Sequence, residues 1–214
     1  MWKIITLLAF GAFAMGTDGF IVAGVLTDTS QQLHITIATG GQLVTIFAIV
    51  YAISSPLIAS LCTSWSRRKL LRSAMLLFII ANALASLSTS LTELIIARVL
   101  AAIASATYTP CASVSATSLV LPAQRGKALS LVMSGITIST IIGVPLGTWL
   151  GHYGGFRLAF GFITLLGIVA MTGLCFWLPE FILPPTISVK QRLCSLFESG
   201  VINILSITAL AMTA

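Results

Sequence analysis

Two ionisable residues of this chain stand inside long apolar stretches. Asp18 lies in Gly16-Thr17-Asp18-Gly19-Phe20, and Arg98 in Ile95-Ile96-Ala97-Arg98-Val99-Leu100. A charge surrounded by hydrocarbon is costly, so such residues mark functional sites by default. A carboxyl at Asp18 could carry a proton or touch a solute. Its plainer role is a structural acid facing a backbone dipole or a polar neighbour such as Gln42. A guanidinium at Arg98 could face a polar cavity and organise a proton path or hold a carboxylate. The plainer alternative is snorkelling of its long stem to an interface, toward the level of Glu93.

Other chemistry is missing. There is no HExxH, no GxSxG and no phosphate-binding GxxxxGK loop. His34 and His152 read as lone loop residues, and Cys62, Cys111, Cys175 and Cys194 have no metal or disulfide spacing. Neither a metal, a cofactor nor an enzymatic site is expected.

The elements that would position Asp18 and Arg98 follow from composition. Of 214 residues, 57% are hydrophobic and 7% charged, where a soluble domain has roughly 25% charged. That is too little charge to coat a soluble surface, whereas lipid tails solvate apolar side chains directly. Spans need about 20 apolar residues. Six stretches qualify, at 4–26, 40–62, 70–87, 94–121, 128–150 and 158–178. The fourth is long enough to tilt or project. Ala12-Phe13-Ala14 has the look of a signal cleavage site, but the apolar run continues beyond it to Leu26.

Polar punctuation separates the stretches at 27–32, 64–69, 88–93, 122–127, 151–157 and 180–197. The net charge of +6 is clustered in the N-terminal tail and the second, fourth and sixth loops, as Lys3, Arg67, Arg68, Lys69, Arg72, Arg125, Lys127, Lys190 and Arg192. The opposite loops hold Arg157. This is a topology signal that places the N-terminus in the cytoplasm, and it does not describe a nucleic-acid surface.

Residues 201–214 are apolar again but reach only about 21 Å. The expectation is a six-helix bundle at 1–180, an interdomain loop at 181–200 and an incomplete seventh span at 201–214, in a fragment or truncated product.

The fifth stretch carries Gly135, Gly143, Pro145, Gly147 and Gly151. Small residues admit close helix approach, and proline bends a span. In the second loop, Arg67, Arg68 and Lys69 either set topology alone or make charge-assisted contacts at helix ends.

Together these stretches resemble the major facilitator superfamily, closest to the drug/proton antiporter branch with its arabinose-efflux-like and purine-ribonucleoside-efflux-like permeases. Gly16 to Leu26 resembles the first-helix signature, with Thr27 where the family commonly has proline. Ala59 to Lys69 resembles the G-x-L-a-D-r-x-G-R-R-k loop; Ala59 and Ser66 replace its glycines and Thr63 its aspartate. Arg98 falls at the arginine of the fourth-helix R-x-x-x-G motif. Ser134-Gly135 and Gly143-Val144-Pro145-Leu146-Gly147-Thr148 resemble the antiporter motif G-x(8)-G-x(3)-G-P-x-x-G, with Val144 inserted. Gly155-Phe156-Arg157 resembles the G-W-R turn that follows.

The resemblance implies an all-α membrane protein, the N-terminal bundle of a fold whose solute sits between two such bundles. It implies proton-coupled efflux of a small organic solute (drug, sugar or nucleoside) by alternating access. Asp18, Arg98 and Gln42 would be the proton and substrate cavity candidates, and Arg67, Arg68 and Lys69 the cytoplasmic gate. Gly135, Gly143, Pro145 and Gly147 would shape the moving interface. The implied partners are a small-molecule substrate, protons, the lipid bilayer and a C-terminal six-helix bundle, with no nucleic acid. The implied location is a bacterial inner membrane. Two alternatives stay open. One is a truncated non-transporting protein or a half-transporter needing a partner chain. The other is a membrane-embedded enzyme, which would need catalytic polar residues clustered at one depth.

Overall fold

The computed structural model describes residues 1–61 and 65–178. The expected interdomain loop at 181–200 and the seventh span at 201–214 lie outside the described residues. Among the described residues every regular element is helical: α1 (Trp2–Gly24), α2 (Leu26–Gln32), α3 (Ile37–Leu61), α4 (Arg67–Leu87), α5 (Leu91–Ser118), α6 (Arg125–Ile138) and α7 (Val144–Trp177). A 3₁₀ turn, Pro122–Gln124, precedes α6, and a π turn, Ser139–Gly143, joins α6 to α7.

The polar punctuation fixes where helices start. Ser90 caps α5 by accepting from Glu93 N–H at 3.3 Å, and the Glu93 carboxylate accepts from Thr89 N–H at 2.7 Å. Two otherwise orphaned backbone donors are thereby satisfied. Ser66 caps α4 in the same way, accepting from Lys69 N–H at 3.3 Å.

One polar segment differs from expectation. Residues 27–32 do not form a loop: after a break at Val25, helical bonding resumes through Thr29 N–H to Val25 O at 2.9 Å, giving α2. Residues 151–157 do hold the expected break between the fifth and sixth spans, since the backbone leaves helical geometry at Gly155. Five apolar helical stretches are long enough to cross a bilayer, and the last, Pro122–Trp177, contains non-helical backbone at Gly155. As a straight rod its 56 residues would reach about 84 Å, far beyond a hydrocarbon core of about 30 Å.

It reverses at Gly155, whose φ of 72° and ψ of −178° suit glycine and little else. Beyond it the chain folds back. Ala159 lies 3.8 Å from where a Cβ on Gly151 would be. The Arg157 carbonyl accepts from Ser86 Oγ at the end of α4, and the Leu174 carbonyl accepts from Arg72 near its start. The stretch is therefore two antiparallel legs, and the described chain makes six passes.

The legs pack around α1. Ala9, Thr17, Ile21 and Val25 meet Gly135, Gly143, Gly147 and Gly151 in that order, so α1 and the leg 125–154 run parallel. On the returning leg, Gly173 meets Leu7. At each of these glycines an added Cβ would overlap its neighbour. The missing side chains are what allow the backbones to approach. Helix α4 lies between α5 and the returning leg of α7, burying Phe78, Phe156 and Phe160. The ladder slips at the π turn, where Val144 N–H bonds Ser139 O, five residues back. Pro145 follows directly and has no N–H to restore the register.

Candidate functional site

Asp18 lies six residues before the end of α1, and Arg98 seven residues after the start of α5. The helices bring them to one depth and into contact. Arg98 Nη1 donates to Asp18 Oδ1 at 2.6 Å, and Nη2 makes a long contact of 3.4 Å with the Asp18 carbonyl. Their side chains are 1% and 0% exposed. This is a fully buried ion pair, in which each charge removes much of the other's desolvation penalty.

The pair is incompletely satisfied. Asp18 Oδ2 and Arg98 Nε have no hydrogen-bond partner among the described residues. Two aromatic rings cover the guanidinium instead. Its carbon lies 4.4 Å from the Phe47 ring centre on α3 and 5.8 Å from that of Phe160 on α7. Both distances suit attraction of a cation by a ring face.

A cavity of about 410 Å³ opens beside the pair, between α1, α3, α5 and α6. Met15, Phe20, Phe47, Tyr51, Ser105 and Thr109 contribute to its wall, and no charged residue does. Phe47 and Tyr51 stack with ring centres 6.2 Å apart. Phe47 thus touches the cavity with one part of its ring and Arg98 with another.

The remaining expected residues are placed as follows. Arg98 does not snorkel, nor does it open onto the cavity, because Phe47 and Asp18 enclose it. Gln42 is exposed on α3, and the partner of Asp18 is Arg98. Gly135, Gly143 and Gly147 face α1 as described, with Pro145 after the π turn. His152 is not alone: its Nδ1 lies 3.4 Å from Asp28 Oδ2, at the same end of the bundle as Gly155.

At the opposite end, arginines engage helix carbonyls. Arg67 Nη1 donates to Val114 O at 3.3 Å. Arg72 donates to Leu174 O at 3.2 and 3.1 Å and to Cys175 O at 2.8 Å. Leu174 and Cys175 lie in the last turn of α7, where carbonyls lack helical partners and a cation is favoured, whereas Val114 O also accepts from Thr117 Oγ1. Arg68 is also engaged, and the Lys69 side chain is exposed.

Three features escaped the sequence. The contact between Asp18 and Arg98 had a usable signal, their equal depth in two spans. Arg72 was read only as a topology charge, and Phe47 as one apolar residue among many.

Comparison with known proteins follows the same lines. The profile of the Major Facilitator Superfamily matches residues 8–214. The uncharacterised MFS-type transporter YbcL of Bacillus subtilis is 37% identical over 97% of this chain and 53% of its own length. The chloramphenicol resistance protein of Streptomyces lividans is 36% identical over 78% of this chain and 43% of its own. The inner membrane transport protein YdhP of Escherichia coli is 30% identical over 97% and 53%. The chain spans about half the length of the curated relatives it matches. Among solved structures, the peptide transporter POT in complex with sulfate superposes with a TM-score of 0.74 at 13% identity, over 99% of this chain and 46% of that one. The proton:xylose symporter XylE gives 0.68 at 17%, over 82% and 44%. At such identities these structures establish the fold alone. The chain belongs to the major facilitator superfamily, a family of membrane transporters and not of enzymes.

Proposed function

We propose that this chain is the N-terminal bundle of a proton-coupled exporter of small organic solutes, working by alternating access with a second six-helix bundle. The observation that carries the reading is the buried Asp18–Arg98 pair beside an uncharged, largely apolar cavity. A transporter that moves protons needs a carboxyl that can be loaded and emptied within the membrane. Arg98 holds the Asp18 carboxylate while it is charged. Protonation removes half of the pair, loosens the tie between α1 and α5, and biases the bundle toward its other arrangement.

The other candidates take supporting roles. Gly143, Pro145 and Gly147 let the fifth span bend and slide against α1. Arg67, Arg68 and Lys69 form the gate region on the cytoplasmic side. Gln42, on the exposed face of α3, is available to solute or to the second bundle. The aromatic and hydroxyl-bearing cavity wall suits an uncharged organic molecule, and a relative named for chloramphenicol resistance supports export as the direction. The chain sits in a bacterial inner membrane with its N-terminus in the cytoplasm, as the clustered basic residues support.

The test uses everted membrane vesicles carrying the complete gene product that contains this chain. Chloramphenicol is the first probe. The wild type should accumulate it when an interior-acid gradient is imposed. Arg98→Ala should abolish this accumulation while leaving membrane insertion intact. Undiminished accumulation in Arg98→Ala would remove Arg98 from the mechanism.

A further inference from the structure

We propose that Phe47 is a lid over the Asp18–Arg98 pair, a positioning residue whose ring keeps water in the cavity from reaching the buried carboxyl. Three observations meet at this side chain. Its ring lies 4.4 Å from the Arg98 guanidinium carbon. It lines the cavity of about 410 Å³. The carboxyl that Arg98 holds has Oδ2 buried without a hydrogen-bond partner, an acceptor that a water molecule would satisfy at once.

The neighbours explain why the ring can cover and also leave. Gly19 leaves room beside it: a Cβ there would lie 3.9 Å from Phe47 Cε1. On its cavity side the ring stacks against Tyr51, one helical turn along α3. The Phe47 side chain is partly buried and borders the open volume of the cavity, so a change of rotamer has space to move into. Phe160 of α7 backs the guanidinium at 5.8 Å and is itself 1% exposed, so it is not the mobile cover.

A flat solute that stacks on Phe47 or Tyr51 would compete for the same ring. Occupancy of the cavity then sets whether the pair is sealed or wet. This regulation rests on the transport reading above, but the lid itself does not.

Water access to Asp18 is read by a water-soluble carbodiimide with glycine ethyl ester, applied to the complete gene product in membranes. Labelled peptides are quantified by mass spectrometry. Asp28, with 22% of its side chain exposed, serves as the internal reference. Loss of the ring attraction in Phe47→Ala should raise Asp18 labelling relative to Asp28 roughly ten- to thirtyfold. Phe47→Trp, which keeps an aromatic face, should label like the wild type. Phe47→Leu, which keeps the bulk but loses the ring face, should rise by roughly severalfold. If Phe47→Ala loosens the whole bundle and raises Asp28 as well, the better-filled Leu variant decides. Wild-type labelling of Asp18 in both the Ala and Leu variants would overturn the proposal, as would a Trp variant as open as Ala. Failure of proton-linked export in the wild type would instead sink the transport reading, since labelling needs no turnover.

Discussion

Two groups of arginines sit at opposite ends of the same bundle and behave differently. Near one end, Arg98 is 1% exposed and faces a single carboxylate. Near the other, Arg67 and Arg72 are partly exposed and donate to backbone carbonyls of α5 and α7. The second arrangement asks little of the protein, because the carbonyls at a helix end need partners anyway and the guanidinium stays near the interface. The first is expensive, and an apolar pair would serve packing as well or better. A costly charge pair beside a cavity points to residues kept for what their charge does, whereas the helix-end arginines also serve the helices they bond, whatever part Arg67 takes in the gate.

This contrast can be broken at Asp18 most severely. Asp18→Ala leaves a guanidinium that cannot shed its proton buried in hydrocarbon, which costs about 3–5 kcal/mol. Arg98→Ala should cost less, about 2–3 kcal/mol, because the stranded carboxyl can neutralise itself by taking a proton. Reversible unfolding in mixed micelles checks the order. Equal losses would mean that Asp18 stays charged without Arg98. The double variant sharpens the point: Asp18→Ala with Arg98→Ala should be more stable than Asp18→Ala alone, so the coupling in a double-mutant cycle exceeds the Arg98→Ala loss, at about 3–4 kcal/mol.

The helix-end group should respond more weakly. Arg72→Ala removes three contacts to Leu174 and Cys175 carbonyls, yet water and headgroups can replace them, so the expected loss is about 1 kcal/mol. It should appear first as faster amide exchange at 170–177. Lys69→Ala, at an exposed side chain, should change stability by less than about 0.5 kcal/mol. A Lys69 effect as large as that of Arg72 would show that charge alone, and not carbonyl bonding, matters at this end.

The apolar stretches were readable because a bilayer imposes their length. The stretch at 70–87 corresponds to Arg67–Leu87, and that at 94–121 to Leu91–Ser118, offset where Ser66 and Ser90 cap the helices. Residues 27–32 carry polar side chains yet form α2, since hydropathy records solvation and not backbone bonding. The polar run at 151–157 and its Gly155-Phe156-Arg157 turn mark where the chain reverses, but not that the reversal takes a single residue of positive φ. The site was half legible. Asp18 and Arg98 stand out as charges in apolar surroundings, but lateral neighbours depend on how helices pack. Phe47 was invisible, because an apolar residue in a span carries no mark of the cation it covers.

The most direct measurement is the proton movement that accompanies solute export by the complete gene product in everted vesicles, compared between wild type and Asp18→Asn. The account predicts a solute-dependent loss of the imposed pH gradient in the wild type and none in Asp18→Asn, with both proteins inserted equally. An undiminished solute-dependent proton flux in Asp18→Asn would contradict the claim that this buried carboxyl carries the proton.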